Sequence, residues 1–249
     1  MRDPFKYIAF CCLVSLFLPA SLLPARAQGN DVSFFQEEAG SASVLFRGHQ
    51  AHGYHIRYNG TYWWFSPDFL TGDVSYNGKL YRQLPLNIDA ARQELVVKSD
   101  ATPLGKVLAR EFVTAFTLDG RRFLNLGQMV GPQDPGGYWE ILYDGRTKFL
   151  RRISKKLLHD YNGSKRQMVA EGDPYDPNIH ETFVRDIAYG CLTEDGQFVP
   201  IRSKQQLLKL YAPLRREIRR HVAAVEGRYN TSMNLEDYGI AVLTFVESR

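Results

Sequence analysis

Asn-Gly and Asp-Gly pairs recur through the middle of the chain, and they constrain its fold more than any other feature. A tight hairpin turn of type I′ needs a positive φ at both central residues, which Asn, Asp and Gly tolerate best. The pairs begin at Asn59, Asn77, Asp119, Asp144, Asn162 and Asp195. Because sequential hairpins build a meander, these pairs predict an antiparallel sheet.

Strand-like segments flank five of the six pairs, and they are rich in β-branched and aromatic residues. The joined segments are 54–58 with 61–65, 74–76 with 80–84, 112–118 with 121–126, 138–143 with 146–153, and 187–193 with 197–201. Residues 94–98 predict one more strand. The Asn162 pair has basic and polar flanks, so a plain loop is an open alternative there.

The end of the chain changes to a helical pattern. Ser203 and Gln206 have the spacing of a capping box, and Pro213 can begin a second helix. We expect Gly227 to end that helix and Asn234 to cap a third one. The apolar stripe of the second helix is formed by Leu214, Ile218, Val222 and Val225.

These patterns predict a mainly β chain. We expect an antiparallel meander of about eight to ten strands that forms a curled sheet or a barrel. Residues 28–202 would form this β-rich domain, and residues 203–249 a small α-helical C-terminal cap packed on it.

The start of the chain predicts a secretory signal peptide over residues 1–27. Arg2 and Lys6 give a basic start, and an apolar run from 7 to about 23 follows. Ala25 and Ala27 then supply the small-residue pattern of a cleavage site. Cleavage after Ala27 would place the mature protein outside the cytoplasm.

Two other interpretations of this segment are less well supported. A retained anchor would have to accommodate Pro19 and Pro24, and a lipoprotein would need its cysteine after a small-residue box. Cys11 and Cys12 instead lie inside the apolar run. We find no second long apolar stretch, so the mature chain is expected to have no transmembrane span.

Charge and cysteine content narrow the class further. Loss of residues 1–27 leaves 28 basic side chains against 26 acidic ones, and export argues against a nucleic-acid partner. Cys191 is then the remaining cysteine, so the fold must depend on its core rather than on disulfides. We expect Cys191 to be buried and inert, because no helix N-terminus or basic neighbour activates it.

Several segments resemble uncharacterised exported β-rich proteins of Bacteroidota. The similar segments are 72–76 (GDVSY), 84–89 (LPLNID), 94–97 (ELVV), 137–145 (GYWEILYDG) and 203–208 (SKQQLL). The resemblance implies a periplasmic or outer-membrane-associated setting in the envelope of a Gram-negative bacterium. It implies no activity.

The densest aromatic cluster consists of Tyr62, Trp63, Trp64 and Phe65, with Phe69 close behind. Such rings can stack on sugars or line an apolar pocket, but a sheet core needs them equally. On a strand, Trp63 and Trp64 would face opposite sides, so one of them is expected in the core. The other would be covered by the helices or by a partner.

A run of basic residues predicts a second candidate ligand-binding surface. Arg151 and Arg152 are its leading members, and the rest of the run is Lys155, Lys156, Lys165 and Arg166. In an envelope compartment this patch could meet anionic lipid or polysaccharide. A solvated face without a ligand is the simpler interpretation.

Two sets of residues are candidate ligands for a divalent cation. His49, His52 and His55 recur every three residues, but Gly48 and Gly53 argue against the helix that would align them. The second set combines Asp173, Asp176 and His180 in a loop rich in proline and oxygen ligands. Asp and Pro also favour turns for backbone reasons alone, so no cofactor is predicted.

We find no nucleophile elbow, zinc-protease, P-loop or dinucleotide motif in the chain. The leading hypothesis is a non-enzymatic envelope protein that binds a ligand or a partner, such as an envelope protein, a polysaccharide or a lipid. One alternative is a hydrolase with a carboxylate or histidine site near residues 173–181. Another is a structural component of a surface assembly.

Overall fold

The computed structural model describes residues 44–99, 102–130, 135–159, 169 and 172–249. The expected signal peptide of residues 1–27, the Asn162–Gly163 turn, Lys165 and Arg166 lie outside the described residues. The strands are β1 Leu70–Tyr76, β2 Lys79–Asp89, β3 Glu94–Ser99, β4 Thr102–Leu108, β5 Val113–Leu118, β6 Arg121–Asn125, β7 Tyr138–Asp144, β8 Lys148–His159, β9 Glu181–Leu192 and β10 Phe198–Ile201. The helices are α1 Gly127–Val130, α2 Lys204–Leu210, α3 Arg215–Tyr229 and α4 Leu235–Glu247.

In the described part of the chain, ten strands form one antiparallel sheet in the order β10-β9-β8-β7-β6-β5-β1-β2-β3-β4. Each strand pairs with the next along the chain, with one exception. β4 does not pair with β5, and β5 pairs with β1 instead. The predicted mainly β meander with a helical C-terminal part is confirmed. The sheet is open rather than a closed barrel, because β10 and β4 are its edges.

The sheet curls strongly on itself. β8 lies five places from β2 in the strand order, yet the Lys155 amide donates a 3.0 Å hydrogen bond to the carbonyl of Ala90, directly after β2. The segment before β1 bridges the parts that this curling brings together. Its isolated backbone bridges join Gln50 to β4, Asn59 to β9 and Trp63 to the end of β2.

The predicted turn chemistry is confirmed at the two tightest hairpins. Asn77 and Gly78 have φ values of 50° and 74° between β1 and β2. Asp119 and Gly120 have φ values of 49° and 73° between β5 and β6. The Asp144 pair begins at the last residue of β7 and leads into the longer β7–β8 connection, and the Asp195 pair lies in the longer β9–β10 connection.

The hairpin predicted at Asn59–Gly60 is wrong. Residues 54–65 contain isolated bridges but no paired strands. The Asn59 side chain is buried and bonds to a distant loop, donating to the carbonyl of Ile179 and accepting from the amide of Asp176. These bonds tie the Asn59 side chain to the 173–181 loop.

The helical segment packs on the β7–β10 end of the sheet through an apolar cluster. Phe149 and Cys191 of the sheet meet Leu207, Ile218 and Val242 of the three longer helices, and all five are buried. We observe no helix in the described residues that is long and apolar enough to cross a bilayer.

The predicted caps are present at two helices. The Ser203 hydroxyl accepts from the Gln206 amide, and the Asn234 side chain accepts from the Asp237 amide. The prediction that Gly227 ends the second helix is wrong. α3 continues to Tyr229 and ends at Asn230, which adopts a left-handed φ of 48°.

Close contact between α4 and β8 gives a stability prediction. A Cβ atom at Gly239 would lie 2.3 Å from Cε1 of the fully buried Phe149 ring. Gly239→Ala is therefore expected to lower the free energy of unfolding by about 2 kcal/mol, because overpacking outweighs the better helix propensity of alanine.

Gly227→Ala is the matched control in α3, where nothing lies within 4 Å of the added methyl group. This change should raise stability by up to about 1 kcal/mol. Urea unfolding followed by circular dichroism measures both effects. Equal stabilisation by the two substitutions would contradict the docking of α4 on Phe149.

Candidate functional site

A cleft of about 980 Å³ lies between the aromatic segment and strands β8 and β9. Tyr62, Trp63, Trp64 and Phe65 line it from the aromatic segment, and Lys155 and Arg185 line it from the two strands. Asp173 adds a carboxylate from the loop before β9. The cleft therefore unites the predicted aromatic cluster with one residue of the predicted acidic loop.

Backbone hydrogen bonds to the end of β2 hold the aromatic segment in place. The Trp64 amide donates to the carbonyl of Ile88 at 2.9 Å, and the Ala90 amide donates to the carbonyl of Tyr62 at 2.9 Å. This extended course sends consecutive side chains to opposite sides. Trp64 packs edge-on against Phe123 inside the curled sheet, whereas Trp63 joins a second cluster with Val96.

Both tryptophans are almost fully covered. Trp63 is 5% exposed and Trp64 is 9% exposed. They lie in separate apolar clusters, and neither cluster contains the C-terminal helices, which together with a partner were the covers expected for one of them. Phe65 behaves differently, because it is 71% exposed while still lining the cleft. It provides an accessible ring at the margin of the cleft.

Lys155 is the unusual polar group of the cleft. Its side chain is 4% exposed, and its Nζ lies 3.8 Å from Oδ2 of Asp173. Burial lowers the pKa of the Lys155 amine to about 8, the Asp173 carboxylate opposes this effect, and the nearby Arg185 guanidinium adds to it. Removal from water penalises the charged amine more than one carboxylate at this distance compensates.

Two tyrosines add neutral hydroxyl groups to the lining. Burial raises the pKa of Tyr62 to about 12 and also raises that of Tyr58. Both phenols therefore stay protonated at physiological pH. Among the described lining residues, Lys155 and Arg185 are cationic and Asp173 is the single carboxylate, so the cleft favours a neutral or anionic ligand.

Arg151 does not belong to an exposed basic patch, contrary to the sequence hypothesis. Its guanidinium lies between the carboxylates of Glu140 and Glu236, with N–O distances of 2.6 and 2.8 Å. The Tyr189 hydroxyl donates to Glu236 as well. Because Glu236 is on α4, this network attaches the helical cap to the sheet. The guanidinium of Arg151 is already neutralised by these two carboxylates.

Arg152 lies away from the aromatic cleft. Its guanidinium donates to the carbonyl of Gly136 at 3.0 Å and lies 5.1 Å from the centre of the Trp139 ring. Arg152 lines a separate cavity of about 440 Å³ beside β9 and β10. The structure thus brings one member of the basic run, Lys155, to the aromatic residues, while Arg151 and Arg152 serve other contacts.

The three candidate histidine ligands are not gathered around one point. The rings of His49 and His52 are 6.4 Å apart, and His49 Nε2 lies 3.8 Å from a carboxylate oxygen of Glu94. In the described ranges, no group of three or more His, Cys, Asp or Glu side chains has the arrangement of a metal site. His55 is part of no such group.

The members of the second candidate metal set point to different partners. Asp173 faces Lys155 in the cleft. The Asp176 carboxylate accepts hydrogen bonds from the Asn178 amide and from the Arg57 guanidinium. The Asn178 amide, the Asn178 side chain and the Arg57 guanidinium all lower the pKa of this carboxyl group. The His180 ring lies 6.0 Å from the ring of His159. The set therefore does not form one coordination sphere.

Cys191 is buried, as expected. Its residue is 0% exposed, and burial raises the pKa of the thiol to about 12. A thiol in this environment stays protonated at neutral pH, so it is not a nucleophile.

Sequence reasoning missed the roles of Lys155 and Arg185. A signal for Lys155 was present, because Ile153 and Leu157 stand two residues away on either side and alternation places them on the same face of β8. The arrangement can hold a ligand by aromatic contact, ionic contact and a buried amine.

No family model, curated protein or solved structure matches the chain.

The lowered pKa of Lys155 predicts a pH-dependent contribution to stability. Between about pH 8 and its ordinary value of 10.5, the unfolded chain binds a proton that the folded chain has lost. Wild-type stability therefore gains about 3 kcal/mol from this group as the pH rises through that window. Lys155→Met lacks the contribution, so its stability relative to wild type should fall over the same range.

Lys156→Met is the matched control, because the Lys156 side chain is 64% exposed on the opposite face of β8. Its stability relative to wild type should stay constant within about 0.5 kcal/mol. Denaturant unfolding at pH 7, 8, 9 and 10.5 measures the differences. Parallel profiles for both variants would show that Lys155 titrates like a surface lysine.

Proposed function

We propose that the protein is an exported cell-envelope protein that binds a small amphipathic molecule in the aromatic cleft without turning it over. The observation that carries this proposal is the meeting of Trp63, Trp64 and Phe65 with the buried Lys155 amine in one cavity. The cavity volume, about 980 Å³, lies at the upper end of the range that small ligands occupy.

The lining indicates how such a ligand is oriented. Its flat or apolar body contacts the aromatic residues of the cleft, of which Phe65 is accessible from solvent. Its polar end faces Lys155 and Arg185, so a carboxylate, a sulfonate or a phosphate is favoured there. A lipid or glycolipid fragment of the envelope has this combination of parts.

Binding is favoured over hydrolysis by the composition of the cleft. Hydrolysis by paired acids needs two carboxylates, or a carboxylate and an imidazole, that converge on one bond. Of the described lining residues, Asp173 alone is an acid, and it lies beside a lysine. The basic and apolar sequence pattern of residues 1–27, together with the resemblance to exported Bacteroidota proteins, supports the envelope setting.

An anionic naphthalene probe, 8-anilino-1-naphthalenesulfonate, tests this proposal on the processed protein. Phe65→Ala removes an exposed ring of the cleft and should weaken binding about 5-fold. Arg185→Gln removes one cation and should weaken it about 10-fold at low salt. Fluorescence titration gives both dissociation constants.

The controls change comparable groups outside the cleft. Leu80→Ala removes a side chain that is 56% exposed on β2, and Lys156→Gln removes an exposed cation on β8. Both variants should bind the probe like wild type. If all four variants bind with equal affinity, the probe occupies another site and the proposal fails.

A further inference from the structure

We propose that Lys155 captures carbonyl-bearing ligands in the cleft by forming a reversible imine. This inference rests on the proposed function, because it takes the aromatic cleft as the place where the ligand body is held. It extends that function from reversible contact to covalent capture, and it assigns the ligand a chemical class, an aldehyde or ketone attached to an apolar body.

The backbone fixes the position of Lys155 at the cavity, whose lining it joins. The Lys155 amide is bonded to the carbonyl of Ala90, and Lys155 pairs with Arg185 across β8 and β9. Of the lysines in the described ranges, Lys155 alone is buried. Its neighbour Lys156 is 64% exposed. The chain thus places one amine where an aromatic ligand would be held against it.

The electrostatic surroundings keep part of this amine neutral. Desolvation and the Arg185 guanidinium favour the neutral amine, whereas the Asp173 carboxylate favours the ammonium ion. Tyr58 and Tyr62 also line the cleft, and burial keeps their phenols neutral. With a pKa of about 8, roughly a quarter of the Lys155 amines carry a free electron pair at pH 7.5.

Imine formation needs no oxidant or reductant. The lone pair of the neutral Nζ forms a bond to the carbonyl carbon, and the carbonyl π electrons move to oxygen. One proton passes from nitrogen to that oxygen, the C–O bond breaks, and water leaves with the second nitrogen proton, which yields the imine. When the imine is protonated, the Asp173 carboxylate, 3.8 Å from Nζ in the free protein, is its counter-ion.

Reductive trapping with 2-naphthaldehyde and sodium cyanoborohydride tests the inference on the processed wild-type protein at pH 7.5. The reductant delivers hydride to the imine carbon and makes the adduct permanent. We expect one major adduct per chain, located at Lys155 by peptide mapping. Lys155→Met should lose at least nine-tenths of the adduct, and Lys156→Met should keep it.

The pH dependence supplies an independent readout on the wild-type chain. With acetic anhydride in place of the aldehyde and the reductant, acylation of Lys155 should increase between pH 7 and 9 with a midpoint near 8, since the fraction of neutral amine sets the acylation rate. Labelling of exposed lysines should still be rising at pH 10. This measurement holds even if Lys155→Met does not fold.

Two outcomes separate this inference from the proposed function. Adducts spread over exposed lysines, with Lys155 unmodified, would overturn imine capture. The binding function would still stand if binding of the sulfonate probe depends on Phe65 and Arg185. Probe binding with the same affinity in the Phe65 and Arg185 variants as in wild type would overturn the binding function itself. A Lys155 adduct that forms only after denaturation would also overturn imine capture.

Discussion

Two backbone hydrogen bonds at Ala90 hold together the parts of the protein that form the cleft. The Ala90 amide donates to Tyr62, and its carbonyl accepts from the amide of Lys155. Ala90 is fully buried, so water does not compete for either bond. The first bond fixes the aromatic segment, and the second holds β8 against the turn after β2. Together they turn a curled, open sheet into a structure with a defined cavity.

The burial of Lys155 follows from this closure. Strand alternation places its side chain on the same face as Ile153, and the aromatic segment covers that face. Burying an amine beside a single carboxylate costs free energy in the folded state. The shift of its pKa to about 8 is the measure of that cost, and it also makes the amine more nucleophilic at physiological pH.

Local chemistry made much of the fold predictable from the sequence. The Asn77 and Asp119 pairs form tight hairpins because their flanks are regular strands. Asn234 caps a helix because its side chain satisfies a free amide of the first turn. At Asn59 the same residue type failed as a turn signal, because its buried amide bonds to the distant 173–181 loop. A contact between residues so far apart in the chain leaves no signal in the local sequence.

The candidate site was predictable in part for the same reason. The aromatic segment was recognisable, but its union with Lys155 depends on curling of the whole sheet. Arg151 looked equivalent to Lys155 in the basic run, yet two carboxylates from β7 and α4 neutralise it. Arg151 and Lys155 lie four residues apart on β8 and share a face, so their different positions along the strand give each its own partners.

The pH titration of the Lys155 side chain by NMR, with lysine labelled with ¹³C at Cε and Lys155→Met used for assignment, tests this account most directly. Closure of the sheet over the amine requires a titration midpoint near pH 8. A midpoint near 10.5, the ordinary pKa of a lysine amine, would show that water reaches the amine freely and would contradict the enclosed cleft.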